Sequence, residues 1–223
     1  MPIDNRYVTI NFFEQGFNVK TLTSSSEQEE AYKLRHKIFV DELGWVPPQA
    51  DCREIDAYDG DGMISLGVFD QVGRMIAHLR ITLPQRVFMM EKEFTSLIQI
   101  PIKKTSRAVE VSRVCTEVDT RRTKVATTYG RYHVAMVLYK GLYMWCKKNH
   151  VHHIYMVIEY KLLRLLKLSG FPCGEIGART IMPDGVSAVA VRLNWREFEA
   201  VNKYSKPQLL VWFEDVQGVK KAA

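Results

Sequence analysis

The chain is 223 residues long, 47% hydrophobic and 25% charged, with a formal net charge of +6. That composition is ordinary for a soluble globular protein, and neither an internal repeat nor a low-complexity segment interrupts it. No run of about 18 apolar residues exists to span a bilayer, and Met1–Arg6 carries no basic region followed by an apolar one, so secretion by that route is not expected.

In chain order, Ser26-Glu27-Gln28-Glu29 reads as a capping box opening a helix. Ala31, Leu34, Ile38 and Phe39 continue its apolar stripe until Gly44, and a loop from Trp45 to Arg53 follows, holding Pro47-Pro48. The runs 63–69 and 75–83, split by Val72-Gly73-Arg74, predict an antiparallel hairpin. Beyond a less regular stretch, 108–118 alternates as another strand. A helix rich in Tyr, Met, Val and Leu is expected within 125–148. Residues 151–158 suit a central strand, 161–168 a short helix stopped by Ser169-Gly170, 187–193 a late strand, 195–201 a helical turn and 209–213 an edge strand. Strands, one long helix, then strand–helix–strand predict an α/β (α+β) fold, a three-layer αβα sandwich around one mixed sheet. With no clear internal boundary, residues 1–223 are expected to form a single domain.

Cys52, Cys115, Cys146 and Cys173 form no CxxC pair, which argues against a zinc site and a disulfide scaffold and for a cytoplasmic protein with reduced thiols. His152-His153 would point to opposite faces of a strand and are poor co-ligands, so no metal is expected. The positive charge favours an acidic partner. Nucleic acid is a weaker candidate because no helix-turn-helix, zinc-knuckle or RNP-like signature is present.

Two clusters carry chemistry. The first runs from Leu34-Arg35-His36-Lys37-Ile38-Phe39 through Trp45 to Glu54-Ile55-Asp56-Ala57-Tyr58-Asp59. Its arginine, aromatics and carboxylates suit a ligand that is cationic at one end and carboxylate-bearing at the other. Arg35 and Phe39, four apart, share a helix face; taken alone they read as a solvated or paired arginine and a core phenylalanine. The second cluster is Glu110-Val111-Ser112-Arg113, charge set in an apolar strand, which is unfavourable unless paired or used. Regular alternation would turn Arg113 away from Glu110 and Ser112, so a bulge or strand end is needed to bring the three together. A Glu–Arg pair to a neighbouring strand is the structural alternative.

Together the clusters resemble one family, the acyl-homoserine-lactone synthases that make bacterial autoinducers. Its pattern is an Arg, a Phe four later, a Trp six after that, Glu-x-Asp-x-Tyr/Phe-Asp, a single Arg, and Glu-x-Ser/Thr-Arg. Arg35, Phe39, Trp45, Glu54, Asp56, Tyr58, Asp59, Arg80, Glu110, Ser112 and Arg113 supply it in that order, and the resemblance spans about residues 25–171. Glu42, where a basic or amide residue is common, and Val114, where Phe is common, depart from it. The family is similar in fold to the N-acetyltransferase superfamily. The loop 119–130 lacks the Gln/Arg-x-x-Gly-x-Gly phosphate cradle of ordinary acetyl-coenzyme A enzymes.

The resemblance implies two substrates, S-adenosylmethionine and an acyl thioester on acyl carrier protein or coenzyme A, and no resident cofactor. It implies Glu110 as general base, Ser112 and Arg113 beside the reacting carbonyl, and Arg35 and Arg113 on the methionyl carboxylate. Phe39 and Trp45 would shield the sulfonium. Asp56 and Asp59 would either receive the ammonium or hold Arg35 and Arg80. Arg80 with Ser112, and Met136 and Met156 along the sheet–helix cleft, are expected on the acyl side, though ordinary core packing explains the methionines more readily. Lys147, Lys148, Arg164 and Lys167 would dock an acidic carrier. A conventional N-acyltransferase and a basic nucleic-acid-binding module are the competing readings.

Overall fold

A computed structural model of the chain describes residues 7–215. Strands β1 (Asn11–Glu14) and β2 (Phe17–Thr21) open it as a hairpin that the sequence pattern does not announce. Helix α1 (Ser25–His36) is capped by Ser24, whose hydroxyl accepts the Glu27 N–H while the Glu27 carboxylate accepts the Ser24 N–H. The capping box is therefore Ser24 with Glu27, two residues before the expected start. The helix runs on into a π-helical segment, Lys37–Glu42, in which the Leu43 N–H reaches back to the Ile38 carbonyl.

The hairpin of β3 (Met63–Phe69) and β4 (Met75–Thr82) forms as expected, with β5 (Ala108–Thr116) antiparallel beside β4. The long helix is shorter than its pattern suggests. Strands β6 (Lys124–Thr127) and β7 (Gly130–His133) form a small separate sheet, and α2 starts only at Val134, ending at Lys148. Val125, Thr127 and Thr128 favour extended backbone, and Gly130, at φ 141, occupies a turn conformation open to glycine.

Next come β8 (His153–Glu159), α3 (Tyr160–Leu168), β9 (Gly174–Glu175), β10 (Thr180–Ile181), β11 (Ser187–Asn194) and α4 (Trp195–Ser205). The segment expected as an edge strand at 209–213 is instead within α5 (Pro207–Glu214). Pro207 in the first turn presets helical φ, and Leu209, Trp212 and Phe213 form its buried face.

The large sheet has the order β1-β2-β3-β4-β5-β8-β11-β10, with β9 on β11. Among the described residues only the β5–β8 pair of this sheet is parallel. Ala77, Leu79 and Ile81 of β4 enter the main core, with Val137, Leu138 and Trp145 of α2, Trp195 and Phe198 of α4 and Trp212 of α5. Alternation turns His78, Arg80 and Thr82 to the opposite face. Helix α1 covers that face with Ala31 and Leu34 and the π-helical segment with Ile38 and Phe39, and Phe88, Met90 and Leu97 pack on Tyr155 and Ala190 farther along it. This is the expected three-layer αβα sandwich around a mixed sheet.

Candidate active site

The charged residues of both clusters meet on the α1 face of the sheet. Arg35, in the last turn of α1, is wholly buried and places Nε 2.6 Å from Glu54 Oε2. Its Nη1 and Nη2 each donate to Asp59 at 2.8 Å, and Nη2 lies 2.5 Å from Glu54. Arg80, on β4, donates from Nε to Ser112 Oγ at 3.0 Å, from Nη1 to Asp56 and Asp59 at 2.6 and 2.9 Å, and from Nη2 to Asp56 at 3.1 Å. Arg113 contacts Glu54 through Nε at 3.1 Å and Nη2 at 3.0 Å, with Nη2 also 2.7 Å from Asp56. Three guanidinium groups and three carboxylates interlock, with a formal charge of zero. Such a set needs every partner: removing one member of a buried pair strands a charge away from water.

The loop bearing these acids is shaped by them. Asp56 N–H donates to Asp59 Oδ2 at 2.8 Å, Tyr58 N–H donates to Asp56 Oδ1 at 2.8 Å, and Glu54 N–H donates to the Tyr32 carbonyl at 3.1 Å. Burial works against ionisation of Asp59, but the bonds and charges of Arg35 and the charge of Arg80 outweigh it and hold the carboxyl far below the usual range. Arg35 is likewise held firmly in its charged form, burial being outweighed by Asp59 and Glu54.

Arg113 joins the set because β5 bulges. Arg80 pairs with Ser112 but His78 pairs with Cys115, so Arg113 and Val114 stand against Leu79 alone. Arg113 takes the left-handed backbone at φ 51. The bulge required to gather Glu110, Ser112 and Arg113 is therefore present.

This arrangement separates roles that sequence leaves merged. All three guanidinium nitrogens of Arg35 are occupied by Glu54 and Asp59, and Arg35 braces the two acids. Asp59 braces Arg35 and Arg80, and its side chain is 2% exposed, whereas that of Asp56 is 18% exposed. Arg113 keeps one nitrogen off the carboxylates, Nη1, which lies 3.5 Å from Met89 Sδ. Its guanidinium sits 5.5 Å from the centre of the buried Phe39 ring, and Phe39 is 6.2 Å from Trp45, which is 41% exposed. The π-helical segment sets this pair, since the Trp45 and Val46 N–H groups both donate to the Phe39 carbonyl.

Glu110 is buried beside the network. Its two oxygens accept the Met89 and Met90 N–H groups at 2.6 and 2.8 Å. Burial nevertheless dominates these bonds and pushes its pKa up to about 7. Glu110 also marks a break in the sheet. β5 and β8 pair only at Ala108–His153, Val109–Ile154 and Glu110–Tyr155, although β5 continues to Thr116 and β8 to Glu159. Ser112 and Arg113 follow on one side of the opening and Met156 on the other. Met156 and Met136 are buried in the main core on the α2 face, so neither contacts the charged network.

The basic candidates are spread over the end of α2 and the length of α3. Lys147 lies 2.7 Å from Glu199 and Lys167 2.9 Å from Glu175; Lys148 and Arg164 are exposed with no ion pair among the described residues. Sequence reasoning did not assign Glu54 a role, although it ties Arg35 to Arg113. Nor did it single out His78 or the Met89–Met90 amides. A histidine alternating with Arg80 in an apolar strand is a readable signal; the amides of an irregular segment are not.

A sequence profile of the autoinducer synthases matches residues 19–201. An acyl-homoserine-lactone synthase of Agrobacterium fabrum is 26% identical over 219 residues, covering 92% of this chain and 100% of that protein. Among solved structures, BjaI, a coenzyme A-dependent acyl-homoserine lactone synthase determined with S-adenosylmethionine and isopentyl-coenzyme A, aligns at TM-score 0.71 and 19% identity. It covers 90% of this chain and 89% of its own. A protein described as an N-acetyltransferase of Lactobacillus plantarum aligns at TM-score 0.56 and 17% identity over 80% of this chain and 98% of its own. At these identities the two structures speak for the fold alone, and that fold is shared with the N-acetyltransferases as expected.

Proposed function

The chain belongs to the autoinducer synthase family, and we propose that it is an acyl-homoserine-lactone synthase using S-adenosylmethionine and an acyl thioester. The observation that carries this reading is the convergence of Arg35, Glu54, Asp56, Asp59, Arg80, Ser112 and Arg113 on one sheet face, beside an aromatic pair and a break between strands.

In acylation the amine of S-adenosylmethionine attacks the thioester carbonyl, the thiolate leaves, and the nitrogen loses a proton. A model α-amine titrates near pH ~8, so modest basicity and good placement suffice. Glu110 is the base in this proposal, poised near neutrality by burial. Asp56, the most exposed of the three acids in the network, receives the ammonium beforehand. The acyl chain enters at the parting of β5 and β8, towards Met156 and Met136, with Ser112, fixed by Arg80, at the carbonyl.

In lactonisation a methionyl carboxylate oxygen attacks the γ-carbon, the carbon–sulfur bond breaks, and the sulfonium departs as neutral 5′-methylthioadenosine. The leaving group is already activated, so no resident cofactor is needed. Arg113, through its open nitrogen, orients the carboxylate. Phe39 and Trp45 flank the sulfonium, an attraction of roughly 0.5–2 kcal/mol. Lys148 and Arg164 offer unpaired positive charge to an acyl carrier protein or to coenzyme A phosphates, while Lys147 and Lys167 already serve internal acids. Among the described residues no helix is long and apolar enough to cross a membrane. Both substrates are made in the cytoplasm, which is where the proposal puts the enzyme.

The test is one assay. Purified protein is given S-adenosylmethionine with a panel of acyl carrier and coenzyme A thioesters, and products are read by mass. Acyl-homoserine lactone and methylthioadenosine are expected together, and only with a thioester present. Acylation of another amine without methylthioadenosine release would replace the proposal with a conventional N-acyltransferase. Absence of turnover with steeply salt-dependent nucleic-acid binding would replace it with a binding module.

A further inference from the structure

His78 is wholly buried on the charged face of β4, and the chemistry just described does not use it. Its ring Nδ1 lies 3.3 Å from the Arg113 carbonyl oxygen and its Nε2 3.2 Å from Ser65 Oγ. A carbonyl only accepts, so Nδ1 carries the proton and donates; Nε2 then accepts from the Ser65 hydroxyl. Burial, reinforced by the nearby charge of Arg35 and then Arg80, pushes the ring pKa down to about 3, so it is neutral and has one proton to place.

Three observations give that proton a purpose. His78 pairs with Cys115 at the far side of the bulge, so it flanks the register shift. The residue it holds has φ 51, a conformation that for a non-glycine residue persists only when its surroundings over-determine it. The same residue, Arg113, alone among the three arginines of the network keeps a terminal guanidinium nitrogen off the carboxylates. Without the bulge, alternation would send the Arg113 side chain to the apolar face, away from Glu54 and Asp56.

We infer that His78 is a positioning residue for Arg113: the Ser65–His78 pair fixes the bulged backbone at Arg113 and so aims its open nitrogen at the substrate carboxylate. This rests on the assignment of Arg113 to that carboxylate. Hydrophobic replacement at 78 therefore weakens recognition of a ligand with the carboxylate and spares one without it.

The experiment compares S-adenosylmethionine, which has the carboxylate, with methylthioadenosine, which lacks it, by calorimetric titration of the wild type, His78→Leu and His78→Asn. Leucine fills the space without a donor; asparagine carries an N–H near the place of Nδ1. Expected is a loss of about 10-fold or more in S-adenosylmethionine affinity for His78→Leu, the scale of one hydrogen bond to a charged site. Methylthioadenosine binding should stay within about twofold, and His78→Asn should recover most of the loss. Equal weakening of both ligands, undiminished S-adenosylmethionine binding in His78→Leu, or failure of His78→Asn to rescue would each overturn the inference. Should His78→Leu not fold, Ser65→Ala decides: with the Nε2 partner gone, S-adenosylmethionine should weaken by about threefold and methylthioadenosine not at all. A wild type that binds neither nucleoside would remove the functional reading itself, a result distinct from all of these.

Discussion

The two faces of β4 are buried alike and held in opposite ways. Ala77, Leu79 and Ile81 are fully enclosed in hydrocarbon, while His78 and Arg80, one residue out of phase, are fully enclosed among charges and hydrogen bonds. On the first face stability follows volume, and swaps of similar shape are tolerated. On the second it follows the completeness of a bonding list, and a shape-matched swap that drops one donor is costly. A single strand thus separates what keeps the protein folded from what makes it specific.

The largest break in this contrast is Arg35→Met, which strands Glu54 and Asp59 without their main partner. Unfolding free energy should fall by about 3–5 kcal/mol in denaturant titration, a large share of what a domain has. A loss below about 1 kcal/mol would mean that water reaches the network. Leu79→Ala probes the other face. Its stability should fall by about 2–5 kcal/mol while S-adenosylmethionine affinity in the folded protein is unchanged; an affinity loss would show that the faces are coupled.

Glu110→Gln sharpens the comparison with a chemical readout. Turnover should drop about 10²-fold or more with S-adenosylmethionine affinity altered only a few-fold, and equal turnover would remove Glu110 from the base role. The wild type has a pH signature as well. Because the Glu110 pKa is raised from an ordinary 4.5 to about 7, its contribution to stability is fully present below pH 4.5 and is lost as pH rises through about 7. Activity that needs the ionised base rises over the same interval, so rate and stability should move in opposite directions there. Glu110→Gln should flatten both curves.

The smallest effect is expected at Glu42, whose carboxylate pairs with Arg121 while both side chains stay about a third exposed. Glu42→Gln should shift stability by less than about 1 kcal/mol, and less still at high salt.

The motif residues were readable through the family resemblance, since each cluster taken alone had an ordinary structural explanation. Their division of labour was not readable. Arg35 and Arg113 are the same residue type, and only the contacts show one saturated and the other with a nitrogen to spare. Strands 63–69 and 75–82 were plain because period-2 alternation with a glycine turn is local information. The 124–133 hairpin was misread because its short polar strands run without a break into the apolar pattern of α2, and α5 because a short apolar segment suits either element; Gly130 and Pro207 decide the two cases. The bulge at Arg113 could be required by the chemistry but not located, since it depends on pairing across to His78.

The brief pairing of β5 with β8 also bears on how the chain assembles. Strands β1 to β5 come from residues 11–116 and β8 to β11 from residues 153–194, and three residue pairs join them. Each half is nearly local in the chain, whereas the parallel junction must wait for α2 to cross over. The halves should therefore form first and zip together last, so that the reaction cleft comes into being only when they meet. Amide protons of Val109 and Ile154 exchanging faster than those of Leu66 and Leu79 would mark that junction as the first to open.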